Sequence, residues 1–278
     1  MCYSPNGMAS LERRVAVAAA RAAGQLLHRE HPRTRQVSFK GTSTNLVTEM
    51  DGRAEALVVD ALLKQFPDDG ILGEEGSARP GRSGRRWVID PLDGTTNYTH
   101  GLPVYAVGIG LERDGIVELG VVYDPTRDEM FVGERGAGAW LNDTRLSVSA
   151  TPALDVSLLT TGFPYDLRTN PDNNLREYAT FAARARAVRR MGSALIDLAY
   201  VAAGRFDGFW ELTLGPWDVA AGAVLVEEAG GRVSDLHGGP LDINAPRLVA
   251  SNGRIHDEML AVLREIRARP GGATAPRP

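Results

Sequence analysis

The chain predicts a mixed α/β fold in two halves, an antiparallel sheet followed by an α/β layer. Three observations carry that prediction. Segments 104–112, 116–123 and 129–133 are strand-like and separated by the turn signals Asp114-Gly115 and Asp124-Pro125, as in an antiparallel meander. After Ala150-Thr151-Pro152, short apolar runs alternate with stretches of helical spacing, the pattern of an α/β layer. Ahead of the meander, residues 10–30 and 51–66 repeat apolar side chains at helical intervals. The halves fall at roughly 10–145 and 151–268, with no fixed-period repeat.

In order along the chain, Leu11, Val15, Ala18, Ala22 and Leu26 line one face of the first helix, and Ser10 can cap it. Val37 to Val47 is short and polar and reads as a hairpin or loop. Ala54, Leu57, Val58, Ala61 and Leu62 mark the second helix, ended near Pro67. Ile71-Leu72-Gly73 is a short buried strand, and the Gly, Ser and Arg of 77–86 read as a mobile loop with a solvated charge run. Residues 136–143 look like a turn system. The second half reads as strand 156–161, helix 172–186, strand 187–190, helix 193–203, strand 206–211, helix 216–229, strands 231–234 and 247–250, and helix 254–267. Tails 1–9 and 269–278 lack pattern and are expected to be disordered.

Composition narrows the function. A net charge of −4 gives no general basic field for nucleic acid or anionic lipid. The single cysteine, Cys2, excludes an intramolecular disulfide and suits a reducing compartment, so the expected location is the cytoplasm. There is no signal-peptide pattern, and no apolar run approaches the roughly 20 residues that span a bilayer.

The chain is organised around Trp87-Val88-Ile89-Asp90-Pro91-Leu92-Asp93-Gly94-Thr95-Thr96-Asn97. Three apolar residues suit a buried strand. Two acids follow, and then a glycine and two threonines that can turn the chain and start a helix. Acids at a strand end can hold cations, and free N–H groups at a helix start can hold an anion. A surface turn of Asp, Gly and Thr is the plain alternative. Glu74-Glu75, Asp218 and Glu211 also stand at strand ends or helix starts. Converging there, they would repel one another unless cations entered, and an all-oxygen site selects Mg²⁺, Mn²⁺ or Ca²⁺ over zinc. Phosphoester hydrolysis is the chemistry such a pocket favours.

These motifs resemble the inositol monophosphatases of the magnesium-dependent, lithium-sensitive phosphatase superfamily, bacterial members above all. The matches are Gly73-Glu74-Glu75, the 87–97 stretch, Tyr200 to Glu211, Trp217-Asp218-Val219-Ala220-Ala221-Gly222 and Glu227-Glu228-Ala229-Gly230-Gly231, and the likeness runs from about Leu11 to Leu263. The resemblance implies a layered α-β-α-β-α sandwich, a single catalytic domain over 10–268 and a homodimer. It implies two or three Mg²⁺ ions, with Mn²⁺ as a substitute. Glu74, Asp90 and the Leu92 carbonyl would hold the first, and Asp90, Asp93 and Asp218 the second. A third would use Glu74 and waters. Glu74, Thr95 and Asp51 would be catalytic, with Thr95 orienting the attacking water. Asp93, Gly94, Thr95, Gly192, Ser193, Ala194, Glu211 and Asp218 would contact substrate, with Lys40 and Glu75 as further candidates. The implied substrate is a small phosphorylated polyol, myo-inositol 1-phosphate first.

Other readings stay open beside it. Aspartyl-phosphate phosphatases of the haloacid dehalogenase type separate their acids by one residue, whereas two separate Asp90 and Asp93. Histidinol-phosphate phosphatase, fructose-1,6-bisphosphatase and nucleotide 3′-phosphatase share the superfamily's metal motifs. Phe163, Tyr165 and Arg168 are candidates for the wall that chooses among them. A regulatory protein binding RNA or another protein is the non-enzyme alternative. Arg184, Arg186, Arg189 and Arg190 form a basic cluster, read as a solvated helix end or dimer contact.

Overall fold

The computed structural model describes residues 9–31, 37–39 and 46–268. Lys40 and both predicted tails, apart from Ala9, lie outside the described residues. The order begins α1 (Leu11–Glu30), β1 (Val37–Phe39), β2 (Leu46–Thr48), α2 (Glu49–Gln65), β3 (Gly70–Gly73), β4 (Ala78–Arg79), β5 (Arg85–Asp93) and α3 (Thr95–Thr99). Then come β6 (Ala106–Arg113), β7 (Ile116–Asp124), β8 (Glu129–Glu134), β9 (Gly138–Leu141) and β10 (Thr144–Arg145). The second half holds β11 (Leu158–Thr161), α4 (Leu175–Arg184), β12 (Ala187–Arg189), α5 (Ala194–Ala202) and β13 (Gly208–Glu211). It ends with α6 (Pro216–Glu228), β14 (Arg232–Asp235), β15 (Leu248–Ser251) and α7 (His256–Ala268).

These elements stack as α-β-α-β-α. Helices α1 and α2 cover one face of an eight-stranded sheet of order β10-β9-β8-β7-β6-β5-β3-β4. Helices α5 and α6 lie between that sheet and a five-stranded one of order β12-β11-β13-β15-β14. Helices α4 and α7 close the outer face, around Phe181, Trp210, Met259 and Leu263.

Local chemistry accounts for the contacts. Small residues Ala16, Ala19, Ala20 and Ala23 form the buried face of α1, which lets it lie close to α2 and the sheet. Thr48 and Asp51 cap α2 reciprocally, which places a buried carboxylate in its first turn. On the other face of the sheet, Gly110, Gly120 and Gly133 sit on adjacent strands, and a Cβ at any of them would press on α6. That stripe of missing side chains lets the α6 backbone settle on the sheet and carry Asp218 to the end of β5.

The structure corrects five expectations. The first sheet is not wholly antiparallel, because β3 and β5 run parallel. β5 does not stop at Ile89. It runs through Pro91 to Asp93, with a register irregularity against β6 between Asp90 and Asp93. The bulge lets a proline sit inside a paired strand without a missing ladder bond. Segment 77–86 is pinned: β4 pairs with β3, and Arg85 bonds Asp69 at 3.0 Å and Glu12 at 2.7 Å. Residues 136–143 hold β9, a further sheet strand, and β10 follows it. The four arginines do not act together, since Arg184 pairs with Glu265 on α7 while Arg190 faces the acidic cleft.

Candidate active site

The bulge in β5 presents two carboxylates at the C-terminal end of the strand. Asp90 is fully buried. Its Oδ1 accepts from the Leu92 N–H at 3.0 Å, and its Oδ2 has no hydrogen-bond partner among the described residues. Asp93 is held differently: Oδ2 accepts from the Ser193 hydroxyl at 2.6 Å and the Leu195 N–H at 2.7 Å, both at the start of α5. Asp218 stands in the first turn of α6, where its Oδ2 accepts from the Gly215 N–H at 2.5 Å. One carboxylate oxygen from each of Asp90, Asp93 and Asp218 lies within 4.8 Å of the others. Glu74, in the turn after β3, lines the same cavity of about 220 Å³, together with Leu92, Gly94 and Thr95.

Crowding and burial set the electrostatics. Burial first, then the charges of Glu74, Asp93 and Asp218, push the Asp90 carboxyl well above the usual range. Burial, Asp93 and Glu74 do the same to Asp218. Asp93 is raised to about 6 by burial, less far because Ser193, Leu195 and Arg190 stabilise its charged form. A site in which several carboxylates resist ionisation, one with an orphaned oxygen, has the donor set for hard cations. These residues fit magnesium.

The Thr95 hydroxyl is 3.1 Å from Asp51 Oδ1 and 3.1 Å from the Leu92 carbonyl, either of which can accept its hydrogen bond. Asp51 is 1% exposed and raised by burial, against the lowering hydrogen bonds of Thr48 and Thr95. Gly94 takes φ 93°, a left-handed value that favours glycine, and a Cβ there would press on the Val104 carbonyl. The helix that follows has only five residues, so its dipole adds little and the anion site reduces to directed N–H groups.

A second cavity of about 100 Å³ adjoins the first, sharing Asp93, Tyr165 and Asp218. Gly192, Ser193, Ala194 and Glu211 line it, as do Phe163, Arg190 and Asp197. Glu211 ends β13, is buried, and has no hydrogen-bond donor on it among the described residues. Burial and Asp197 raise it well above its usual range, with Arg190 opposing. Arg168 lines the groove outside this cavity, with Phe163 and Tyr165.

The predicted residues Glu74, Asp90, Leu92, Asp93, Gly94, Thr95, Gly192, Ser193, Ala194, Glu211 and Asp218 thus border one cleft, with Asp51 directly behind Thr95. Glu75 borders neither cavity; its N–H bonds Glu55 at 2.9 Å. Three roles escaped the sequence reading. Ser193 caps α5 and donates to Asp93, Arg190 faces the acids, and Asp197 adds a buried carboxylate. Asp197 left a signal, as the only charged residue in the apolar run Ala194–Ala202.

Comparison with known proteins agrees with this geometry. The model of the inositol monophosphatase family matches residues 10–268. Inositol-1-monophosphatase of Rhizobium meliloti is 45% identical, covering 84% of this chain and 87% of that protein. A protein of Pseudomonas aeruginosa named Nus factor SuhB is 44% identical, covering 90% of this chain and 94% of its own length. The solved inositol monophosphatase of Anabaena superposes with a TM-score of 0.83 at 43% identity, covering 91% of this chain and 94% of that one.

Proposed function

We propose, from the premise that the chain belongs to the inositol monophosphatase family, that it is a magnesium-dependent phosphatase converting myo-inositol 1-phosphate to inositol and phosphate. The observation that carries the metal dependence is the orphaned Asp90 Oδ2 inside the Asp90, Asp93 and Asp218 trio. A buried carboxylate oxygen without a donor costs several kcal/mol unless a proton or cation meets it. In this reading Glu74, Asp90 and the Leu92 carbonyl would hold one ion, and Asp90, Asp93 and Asp218 a second. Glu74 would also serve a third, weaker one, and Mn²⁺ would substitute. When bound, the ions supply charge neutralisation and lower the pKa of water.

The chain's own groups do the rest. With its proton directed at Asp51 or Leu92, the Thr95 oxygen has lone pairs left to orient the attacking water. Asp51, raised by burial, is a competent proton acceptor behind it. The Gly94 and Thr95 N–H groups receive the phosphate oxygens. Gly192, Ser193 and Ala194 border the polyol, and Glu211 accepts from its hydroxyls. The same reading takes the protein as a cytoplasmic, lithium-inhibited homodimer with residues 10–268 as its catalytic unit.

Phosphate release over inositol 1-phosphate, fructose 1,6-bisphosphate, histidinol phosphate and 3′-phosphoadenosine 5′-phosphate tests it. Inositol 1-phosphate should be fastest, with activity abolished by EDTA and inhibited by Li⁺. Silence across the panel with Mg²⁺ overturns the enzyme reading, and a different leader reassigns the substrate. The relative named Nus factor SuhB supports a second reading, a binding role beside catalysis. RNA retention that weakens steeply with salt would speak for it.

A further inference from the structure

Resting on the phosphatase reading, we propose that Glu55 is a positioning residue for Glu74 and that α2 sets the distance between Glu74 and Thr95. Helix α2 carries two buried carboxylates on one face, Asp51 and Glu55, one turn apart. Asp51 meets Thr95. Glu55 is 3% exposed and meets the turn between β3 and β4, the turn that carries Glu74.

Each oxygen of Glu55 has its own donor. Oε2 accepts from the Glu75 N–H at 2.9 Å, and Oε1 from the Ser77 N–H at 3.0 Å. No lysine or arginine among the described residues pairs with Glu55, so these two backbone N–H groups are what hold its carboxylate in place. On the other side of Glu74, Gly73 packs so tightly on the Glu55 carboxylate that a Cβ would collide with it. Glu74 is therefore bracketed. The residue before it presses on Glu55, and the residue after it bonds to Glu55. A helix is stiff over one turn, so the group behind the water-orienting hydroxyl and the group fixing Glu74 keep a constant spacing.

This role differs from plain stabilisation in what it predicts. Partners that orient metal ligands typically alter metal affinity about 10–100-fold when removed. Glu55→Gln keeps shape and volume, but turns its amide nitrogen toward one of the two N–H donors. In the full-length protein, Mg²⁺ affinity by isothermal calorimetry should fall about tenfold. Hydrogen exchange at the Glu75 and Ser77 amides should quicken. The Mg²⁺ half-saturation of phosphate release should rise, with KM for the ester at saturating Mg²⁺ unchanged and most of kcat recovered. Gly73→Ala pushes on the same carboxylate from the other side and should weaken Mg²⁺ alike, which keeps the test open if Glu55→Gln does not fold. Wild-type Mg²⁺ affinity in the folded variants overturns the proposal. So does a lowered Tm with no change in Mg²⁺ requirement, and so does a wild type that binds no Mg²⁺. Calorimetry and exchange give their answer even if the wild type hydrolyses none of the esters, so failure of the phosphatase reading is told apart.

Discussion

Strand β5 has a buried carboxylate site at each end, and the two are built in opposite ways. Beside its first residues, Asp69 is 1% exposed and fully partnered. Its Oδ1 accepts from Ser83 at 2.6 Å and Arg85 at 3.0 Å, and its Oδ2 from the Trp87 indole at 2.9 Å. Arg85 also reaches Glu12 at 2.7 Å, which ties β5 to α1. At its far end, Asp90 has an orphaned oxygen, and Asp93 and Asp218 crowd it. One end satisfies its charge within the protein. The other leaves charge unsatisfied, which is tolerable only if something outside the protein completes it. A buried acid thus serves the fold or the ligand according to whether its donors are already in the chain.

The largest expected effect breaks the far end. Asp93→Asn should lower kcat/KM about 10³-fold, roughly 4 kcal/mol, by removing a proposed ligand of the cations that would stabilise developing charge. The same change removes one charge from a crowded trio, so in EDTA the variant should melt no lower than wild type. Phosphate-release kinetics and a thermal melt read both. Retained turnover would take Asp93 out of the proposed metal set.

At the near end the signs reverse. Asp69→Asn leaves Arg85 short of a partner and should cost about 3 kcal/mol of stability, as for breaking a mostly buried pair. Activity per folded molecule should stay within about twofold, since Asp69 borders neither cavity of the cleft. Urea unfolding and active-site-normalised kinetics separate the two. A large kinetic loss in the folded variant would show that the ends of β5 are coupled.

What the sequence made legible follows the same division. Asp90 and Asp93 could be read because strand, acids and turn are contiguous. The helices were legible from apolar spacing and from caps such as Ser10 on α1. The meander followed from its two turn dipeptides. The Asp69 network was not readable, because its donors lie 14 to 18 residues away in a segment whose Gly and Ser content suggests a loop. Proline and two acids hid the last residues of β5, since only pairing with β6 through a bulge keeps them in a strand. Ser193 was placed at the cleft, but its bond to Asp93 spans 100 residues and depends on α5 docking beside β5. Local signals reported elements, and contiguous motifs reported half of the site. The groups that hold the acids in place come from distant chain.

The smallest effect isolates the electrostatics of the far end. Burial, joined at Asp90 and Asp218 by repulsion from the neighbouring carboxylates, raises the carboxyls of Asp90, Asp93 and Asp218 above the ordinary carboxylate range in the folded protein. Without metal, the folded protein therefore binds more protons than the unfolded chain, and stability falls as pH rises. For Asp93 the favourable contribution is full below the ordinary value of 3.8 and is lost as pH climbs through about 6. In EDTA, this group should cost the wild type about 2 kcal/mol between about pH 4.5 and about pH 6.5, at 1.4 kcal/mol per unit. Mg²⁺ favours the ionised carboxylates, so its stabilising effect should grow across the same window. Carboxyls away from the trio contribute slopes of their own, which cancel in wild type minus Asp93→Asn; what is left belongs to Asp93 and to its effect on Asp90 and Asp218. A difference that stays flat with pH would mean that Asp93 ionises normally in the metal-free fold, and that Ser193 and Leu195 already satisfy it as the partners of Asp69 satisfy the near end.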